Sequence, residues 1–420
     1  MSEAYVVGVS MTAFGRYLDT PMEQLTGEAL KDVLEDSGCT LDEIGMTYYS
    51  GITNGALQGQ HFVPGQIALA KNGLVGSPVI NVENACASGS TAFNLAVQQV
   101  TNGSCDFALA IGAEKMNIPD KKAMFAVFDG AWDVSEVETN KERLMNLGMG
   151  LEIPEGSESP KPYSIFMAIY ARFAREHMHL YGTTQRQIAA VSAKNHGHSV
   201  HNPKSQFRNA LSIEEVLSAP PITYPLTLPM CSPISDGAAA VLVCNKAGLE
   251  KLKARGAESN ASRSVKVLAS VLRSGNPVRE FSEAETHLAK LAADTAYEIA
   301  GVEPSEVDVA EVHDATAIGE IFHAENLGLA PIGEAGFAAE KGDFSLGGRV
   351  PINPSGGLES KGHPIGVTGL AQIYELVTQL RGEAGKRQVD GARVAIQENS
   401  GGVNGVEEAA VVVNLFSNRR

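Results

Sequence analysis

The chain has 420 residues, 44% of them hydrophobic and only 6% aromatic, with 43 glycines. That length supports a large buried core in two or three domains, and many small residues with few aromatics suit tightly packed α/β layers. The formal net charge of −16 argues against nucleic acid or an anionic membrane surface as the main partner, although a local basic patch would still hold an anionic ligand.

Residues 5–9 form an apolar, strand-like run with no basic segment before it, which argues against a cleaved signal peptide. No apolar stretch reaches the roughly 18 residues of a membrane helix. The five cysteines, Cys39, Cys86, Cys105, Cys231 and Cys244, show neither CxxC nor Cys/His metal spacing. An odd count in a long chain suits a reducing compartment better than a disulfide scaffold. A cytoplasmic protein with no membrane segment is expected.

Residues 29–50 read as an amphipathic helix (Leu30, Val33, Leu34), a break at Gly38, an acidic turn at Asp42 and Glu43, and a β-prone strand. Residues 292–313 repeat that plan at an offset of 263, with Ala293, Ala296 and Tyr297 on the helix, Gly301 at the break and Ser305-Glu306 in the turn. The copy begins one strand earlier, with residues 5–9 mirrored by 265–269. A second pair lies at an offset of 277: residues 86–89 stand opposite 363–366. Each precedes a helix (from Thr91 and Thr368) and then an apolar strand (residues 107–112 and 393–397). Two βαβ-rich halves of related plan follow from these repeats. Residues 1–116 with 236–262 make the first half, and 263–420 the second. Residues 117–235 form an insertion expected to pack over the site, with helices over 163–181 and 184–198 and proline-containing loops.

Cys86 falls between a buried-strand run and a helix, where the helix dipole and free N–H groups favour a thiolate nucleophile. The alternative is a small buried hydrophobe, the usual fate of a free cysteine. His363 lies in a glycine-rich loop and, by the repeat, should face Cys86 within about 3–5 Å as its base; a capping histidine is the other reading. His313 ends a strand, where open α/β sheets place ligand groups. His196, His198 and His201 do not share one helix face, so no metal site is expected.

Together these segments resemble the thiolase superfamily, and most closely the thiolases related to sterol carrier protein. The resemblance spans the whole chain. It rests on residues 7–15, on Asn84-Ala-Cys-Ala-Ser-Gly89, on Ser232-Pro-Ile-Ser-Asp-Gly-Ala, on His313-Asp-Ala and on the 353–369 loop with its Gly-His-Pro. It implies a five-layered α-β-α-β-α fold built from two thiolase halves, with the insertion gripping coenzyme A. It implies a homodimer or a dimer of dimers, expected along an edge strand near residues 79–82 or 107–112. It implies ping-pong chemistry: Cys86 takes an acyl group from an acyl-CoA with His363 as base, and the acyl-enzyme is resolved by coenzyme A or by an acetyl-CoA carbanion. Acyl-CoA is then a substrate and no cofactor is tightly bound. Oxyanion sites would be His313 with His363, and the backbone N–H groups of Cys86 and Ser400; Ser355, Gly356 and Gly357 would form the substrate loop.

One departure stands out. The second catalytic cysteine of ordinary thiolases is missing, both in the Gln397-Glu-Asn-Ser-Gly-Gly402 slot and in His313-Asp-Ala315. Glu398 takes its place by the Gly-Gly register, as a proton carrier or as a salt-bridge partner, with Asn399 beside it orienting a water or the loop. The alternatives to a thiolase are a Cys-His-His condensing enzyme of ketoacyl-synthase type, or a subunit dependent on a small zinc-ribbon/OB-fold partner.

Overall fold

The computed structural model describes residues 3–418. Among them nine strands share one mixed sheet: β1 (Ala4–Met11), β2 (Met46–Ser50), β3 (Val79–Val82), β4 (Phe107–Lys115), β5 (Asp236–Cys244), β6 (Val265–Ser274), β7 (Val309–Glu311), β8 (Val394–Gly401) and β9 (Ala410–Ser417). Their order is β3-β2-β4-β5-β1-β6-β9-β8-β7. The two halves mirror each other in direction as well as order. β2 is parallel to β4, which is antiparallel to β5, itself antiparallel to β1; β7, β8, β9 and β6 repeat that pattern. A short antiparallel pairing of β1 with β6 joins them. The counterpart of β3 shrinks to a single parallel bridge between Ala310 and Ile352.

The helices of ten residues or more are α1 (Met22–Ser37), α2 (Ser88–Thr101), α3 (Ile165–Tyr181), α4 (Gln185–Ser199), α5 (Leu288–Ala300), α6 (Ala317–Asn326) and α7 (Thr368–Leu380). α1 covers β1 and β5 from outside, and α5 covers β6 and β9. α2 and α7 lie between the two halves of the sheet and touch both. The layers therefore run α-β-α-β-α. The 263-residue repeat is visible element by element: α1 and α5 end on left-handed glycines, Gly38 (φ 69°) and Gly301 (φ 62°). A 3₁₀ turn (Leu41–Glu43, Pro304–Glu306) and then β2 or β7 follow.

Period-two patterning sorts side chains between layers. In β5, Ala239, Val241 and Val243 join the central core with Phe93 of α2, while Ala238, Ala240 and Leu242 face α1. Phe93 packs on Phe416 of β9 at 5.7 Å between ring centroids, and a buried phenyl of this kind stabilises by about 1.5–3 kcal/mol. The first turns of the two central helices come together at small residues. A Cβ on Gly369 would lie 2.0 Å from Ser90 Oγ and 2.6 Å from Ser90 N, so only glycine permits the approach.

The expected edge at residues 107–112 is corrected: β4 is paired on both sides, with β2 and β5. β5 returns from beyond the insertion to cover it, a long-range pairing with no local signal. β3 is the edge, and Ile80 on it is 45% exposed. In the inserted stretch, α4 packs on α6 and on the short helix Gly357–Lys361, and Phe173 of α3 meets Phe281 at 5.6 Å. Among the described residues no helix is long and apolar enough to cross a membrane.

Candidate active site

Cys86 sits in the turn between β3 and α2. Ala85 before it holds a left-handed φ of 46°, a conformation costly for a residue with a Cβ. Local bonds fix the turn: Asn84 N–H donates to Ser88 Oγ (2.8 Å), and Ser88 Oγ donates to the Ala85 carbonyl (2.6 Å). Gly401 of β8 presses on it from the other half, since a Cβ there would lie 2.6 Å from Cys86 N and 2.5 Å from Asn84 O.

The expected approach of Cys86 and His363 is present. Cys86 Sγ and one ring nitrogen from each of His313 and His363 all lie within 4.8 Å of one another. The two imidazoles stand nearly perpendicular, with centroids 5.1 Å apart. A thiol with two imidazoles is also a donor set that zinc accepts; the hydrogen bonds of the rings bear on which chemistry they serve.

His363 is held by its backbone N–H, which donates to Ser235 Oγ (2.9 Å), and by its Nδ1, 2.7 Å from Thr368 Oγ1. Thr368 Oγ1 in turn donates to the Pro364 carbonyl (3.2 Å), so the threonine oxygen accepts from Nδ1–H and Nε2 keeps a lone pair. His313 is held the opposite way. Gln397 Nε2 donates to Ser90 Oγ (2.7 Å), which leaves the serine hydroxyl to donate to Asn399 Oδ1 (2.8 Å). Asn399 must then present Nδ2 to His313 Nδ1, at 3.1 Å. His313 Nδ1 accepts, so its Nε2 carries the hydrogen. The pair offers one base and one donor.

Burial pushes His313 down to about 3, and burial with His313 alongside pushes His363 well below the usual range; both rings are neutral at pH 7. The thiolate expectation is corrected. Burial, reinforced by the Glu114 carboxyl, pushes the Cys86 thiol up to about 12. The end of α2 does not outweigh the loss of water around the sulfur, so the resting pair is thiol and neutral imidazole.

A cavity of about 590 Å³ opens on these groups. Its wall is mostly apolar, with Phe125, Phe128, Phe166, Met167 and Tyr170 from the inserted stretch. Other expected site residues lie elsewhere. Ser355, Gly356 and Gly357 are buried behind the cavity: Ser355 Oγ donates to Glu311 Oε2 (2.8 Å), and Gly356 and Gly357 pass so close to Ser199 and Asp314 that neither tolerates a Cβ. Ser400 is also set back, paired with Val411 in the sheet, and Gly401 and Gly402 form the wall instead. Glu398 does not line the cavity. Its Oε2 accepts from the His313 backbone N–H (3.0 Å) and lies 3.4 Å from His323 Nδ1, and burial pushes its carboxyl up to about 8.

Two residues at the site, Ser90 and Glu114, carried no local sequence signal and act through contacts across the duplicated halves; Ser235 lies in the 232–238 motif and reaches His363 from the end of the insertion. Glu114 accepts from the Gly366 N–H (2.9 Å) and the Thr53 N–H (2.9 Å), holding the loop after His363 against the first half. Thr368 was the legible one, as a polar residue in the first turn of the helix that follows His363. Glu408, on the cavity wall, belongs to no motif in the sequence and reaches the site only through the fold.

The thiolase N-terminal domain model matches residues 4–214, and the thiolase C-terminal domain-like model matches residues 274–414. The chain is 35% identical to an acetyl-CoA acetyltransferase of Methanothermobacter thermautotrophicus, over 99% of this chain and 100% of that one. It is 37% identical to sterol carrier protein 2 of Bos taurus, over 99% of this chain and 72% of that one. A solved chain described as an Ltp2-ChsH2(DUF35) aldolase superposes with a TM-score of 0.73 over 100% of this chain and 98% of that one, at 19% identity, and so shares its fold. With both halves matched and these relatives aligned over nearly its full length, the chain belongs to the thiolase family and is an acyltransferase of that family.

Proposed function

We propose that the protein is an acyl-CoA C-acyltransferase in which Cys86 carries the acyl group, cleaving a 3-ketoacyl-CoA with coenzyme A or forming one by Claisen-type condensation. The observation that carries this reading is the meeting of Cys86 Sγ with His313 and His363 within 4.8 Å, at the wall of an apolar 590 Å³ cavity. His363 Nε2 takes the thiol proton as sulfur attacks the carbonyl. The resulting oxyanion is met by the His313 Nε2–H and the Cys86 backbone N–H. A proton on His313 Nε2 also favours this role over metal ligation, which needs a lone pair there. Residues 117–235 act in this reading as an inserted domain over the acyl chain and coenzyme A, between halves 1–116 with 236–262 and 263–420.

The exposed edge of β3, with Phe62 and Val75 at 80% and 72% exposure nearby, supports a homodimer through that edge. A second reading, dependence on a small OB-fold/zinc-ribbon partner, is favoured by the absence of a thiol at both Ala315 and Glu398. It is favoured too by the DUF35 protein named with the aldolase of the same fold.

Intact-mass measurement after incubation with a panel of short, branched and aromatic acyl-CoAs, followed by peptide mapping, tests the main reading. An acyl adduct on the Cys86 peptide is expected. Adducts confined to other cysteines, or none across the panel, would refute it. Light scattering at micromolar concentration reports the dimer.

A further inference from the structure

Making or breaking a carbon–carbon bond beside a thioester needs a group that exchanges a proton with the α-carbon. The thiol that would serve is missing at Ala315, and Glu398 is turned to the His313 backbone. The cavity wall carries two other carboxylates: Glu83, which is exposed and accepts from the Ala85 N–H (2.7 Å), and Glu408, whose carboxylate is buried. We infer that Glu408 is the acid/base group for the α-carbon, an assignment that rests on the acyltransferase reading of this cavity.

Glu408 borders the same cavity as Cys86, His313 and His363. Its neighbour Glu407 does not border that cavity and is fully engaged: it accepts from Arg279 Nε (2.7 Å), the Asn276 N–H (2.6 Å) and the Leu288 N–H (3.1 Å). Glu408 Oε2 makes no hydrogen bond among the described residues, although it is buried. Glu398 Oε1 is equally without one, so a place on the cavity wall is what sets Glu408 apart. Two imidazoles flank it: His287 Nε2 lies 3.4 Å from Oε2, and His323 Nε2 lies 3.7 Å from Oε1. The backbone leaves little freedom. Ala409 N–H donates to Gly401 O (3.1 Å), Gly275 N–H donates to Ala409 O (2.9 Å), and a Cβ on Gly275 would lie 2.2 Å from Glu408 O.

Burial, with Glu407 adding to it, pushes the Glu408 carboxyl up to about 7, where both protonation states are accessible at neutral pH. The ionisable groups around it are His287, His323, Glu398, Glu407, Arg279 and Tyr170. Glu408 and His287 also border a second cavity of about 50 Å³, room for a water or two.

The proton balance closes in the thiolytic direction. His363 takes the Cys86 proton as sulfur adds to the 3-keto carbon. The C2–C3 bond breaks, its electron pair goes to the departing acetyl-CoA as an enolate, and protonated Glu408 gives that carbon a proton. Coenzyme A then transfers its thiol proton to the Glu408 carboxylate as its sulfur attacks the Cys86 thioester. The C–S bond to Cys86 breaks, and the sulfur recovers its proton from His363. Condensation runs the same steps in reverse.

The test is hydrogen–deuterium exchange at the acyl α-carbon of acetyl-CoA and propionyl-CoA in D2O, read by mass spectrometry beside Cys86 acylation on the same samples. Wild type is expected to exchange, with a rate that rises through pH about 7. Glu408→Gln is expected to lose exchange by about 10²–10⁴-fold while Cys86 still becomes acylated. Glu408→Asp, which keeps a carboxylate, is expected to recover part of the exchange with an altered pH profile. Exchange by Glu408→Gln within threefold of wild type would overturn the assignment. So would a selective loss in Glu398→Gln with Glu408→Gln intact, or wild-type protein that acylates Cys86 yet never exchanges with either substrate. Exchange without any acylation of Cys86 would support Glu408 and refute the acyl-enzyme reading, so the two failures are told apart.

Discussion

Asn399 links the two halves of the molecule through a single amide: Oδ1 accepts from Ser90 Oγ of α2 at 2.8 Å, and Nδ2 lies 3.1 Å from Nδ1 of His313. The amide cannot be turned around, because Gln397 Nε2 already donates to Ser90 Oγ. Asn399→Asp replaces the donor by an acceptor, so His313 must carry its hydrogen on Nδ1 and offers a lone pair where the oxyanion forms. We expect kcat and the rate of Cys86 acylation to fall by about 10²–10³-fold, the usual cost of losing an oxyanion donor, with KM nearly unchanged. Acylation within threefold of wild type would show that His313 does not act through that hydrogen.

Cys86 supplies a second expectation. With the thiol pushed up to about 12, alkylation by iodoacetamide in the absence of substrate should be slow at pH 7 and still rising at pH 9. A plateau below pH 8 would mean that a thiolate–imidazolium pair already exists at rest. Thr368→Val removes the partner of His363 Nδ1, leaves a buried N–H unpaired at a cost of about 1–3 kcal/mol, and should slow acylation more than alkylation.

The duplicated plan was legible because it rests on local signals. Gly38 and Gly301 end helices, acidic turns follow, and Cys86 and His363 occupy matching positions before two central helices. Side-chain direction was not legible. Register placed Glu398 in the slot of the missing thiol, but β8 turns that side chain towards the His313 backbone and His323, while Gly401 and Gly402 face the cavity. The thiol's ionisation was misjudged for a related reason: a helix terminus is visible in sequence, whereas the apolar wall that desolvates Cys86 comes largely from the inserted stretch. Residues 107–112 looked like an edge because β5, which covers them, arrives more than a hundred residues later.

Gly401 makes a steric expectation. A methyl group there would meet Ala87 N and Asn84 O at 2.5 Å and Cys86 N at 2.6 Å. All three are backbone atoms of the turn that carries Cys86 and cannot move aside singly. Gly401→Ala should cost about 1–3 kcal/mol of stability, the usual range for overpacking, and should abolish acylation by displacing Cys86. Urea denaturation and intact-mass labelling measure the two effects. Full acylation in a folded Gly401→Ala protein would mean that the turn is far more compliant than its bonding suggests.

Stability against pH follows from two opposed sets of buried groups. Glu398 and Glu359 are pushed up to about 8 and Glu408 to about 7 by burial, from an ordinary 4.5. A raised carboxyl binds its proton more tightly in the folded state. Its contribution is fully present below about pH 4.5 and is lost as pH rises through 7 to 8. His198, His287 and His313 are pushed down to about 3 from an ordinary 6.5, again by burial. Their contribution is fully present above pH 6.5 and is lost as pH falls through about 3. Between 4.5 and 6.5 the two slopes oppose each other, so the maximum should lie there. Above 6.5 only the carboxyls titrate, and Tm should decline from pH 6.5 to 8.5. Glu398→Gln, which stays neutral throughout, should flatten that decline and raise Tm at pH 8.5 relative to wild type. Thermal scans of both proteins across pH 4 to 9 measure it. A wild-type Tm that climbs steadily to pH 8.5 would mean that these carboxyls are ionised in the folded protein at neutral pH, with charge-stabilising partners beyond those described.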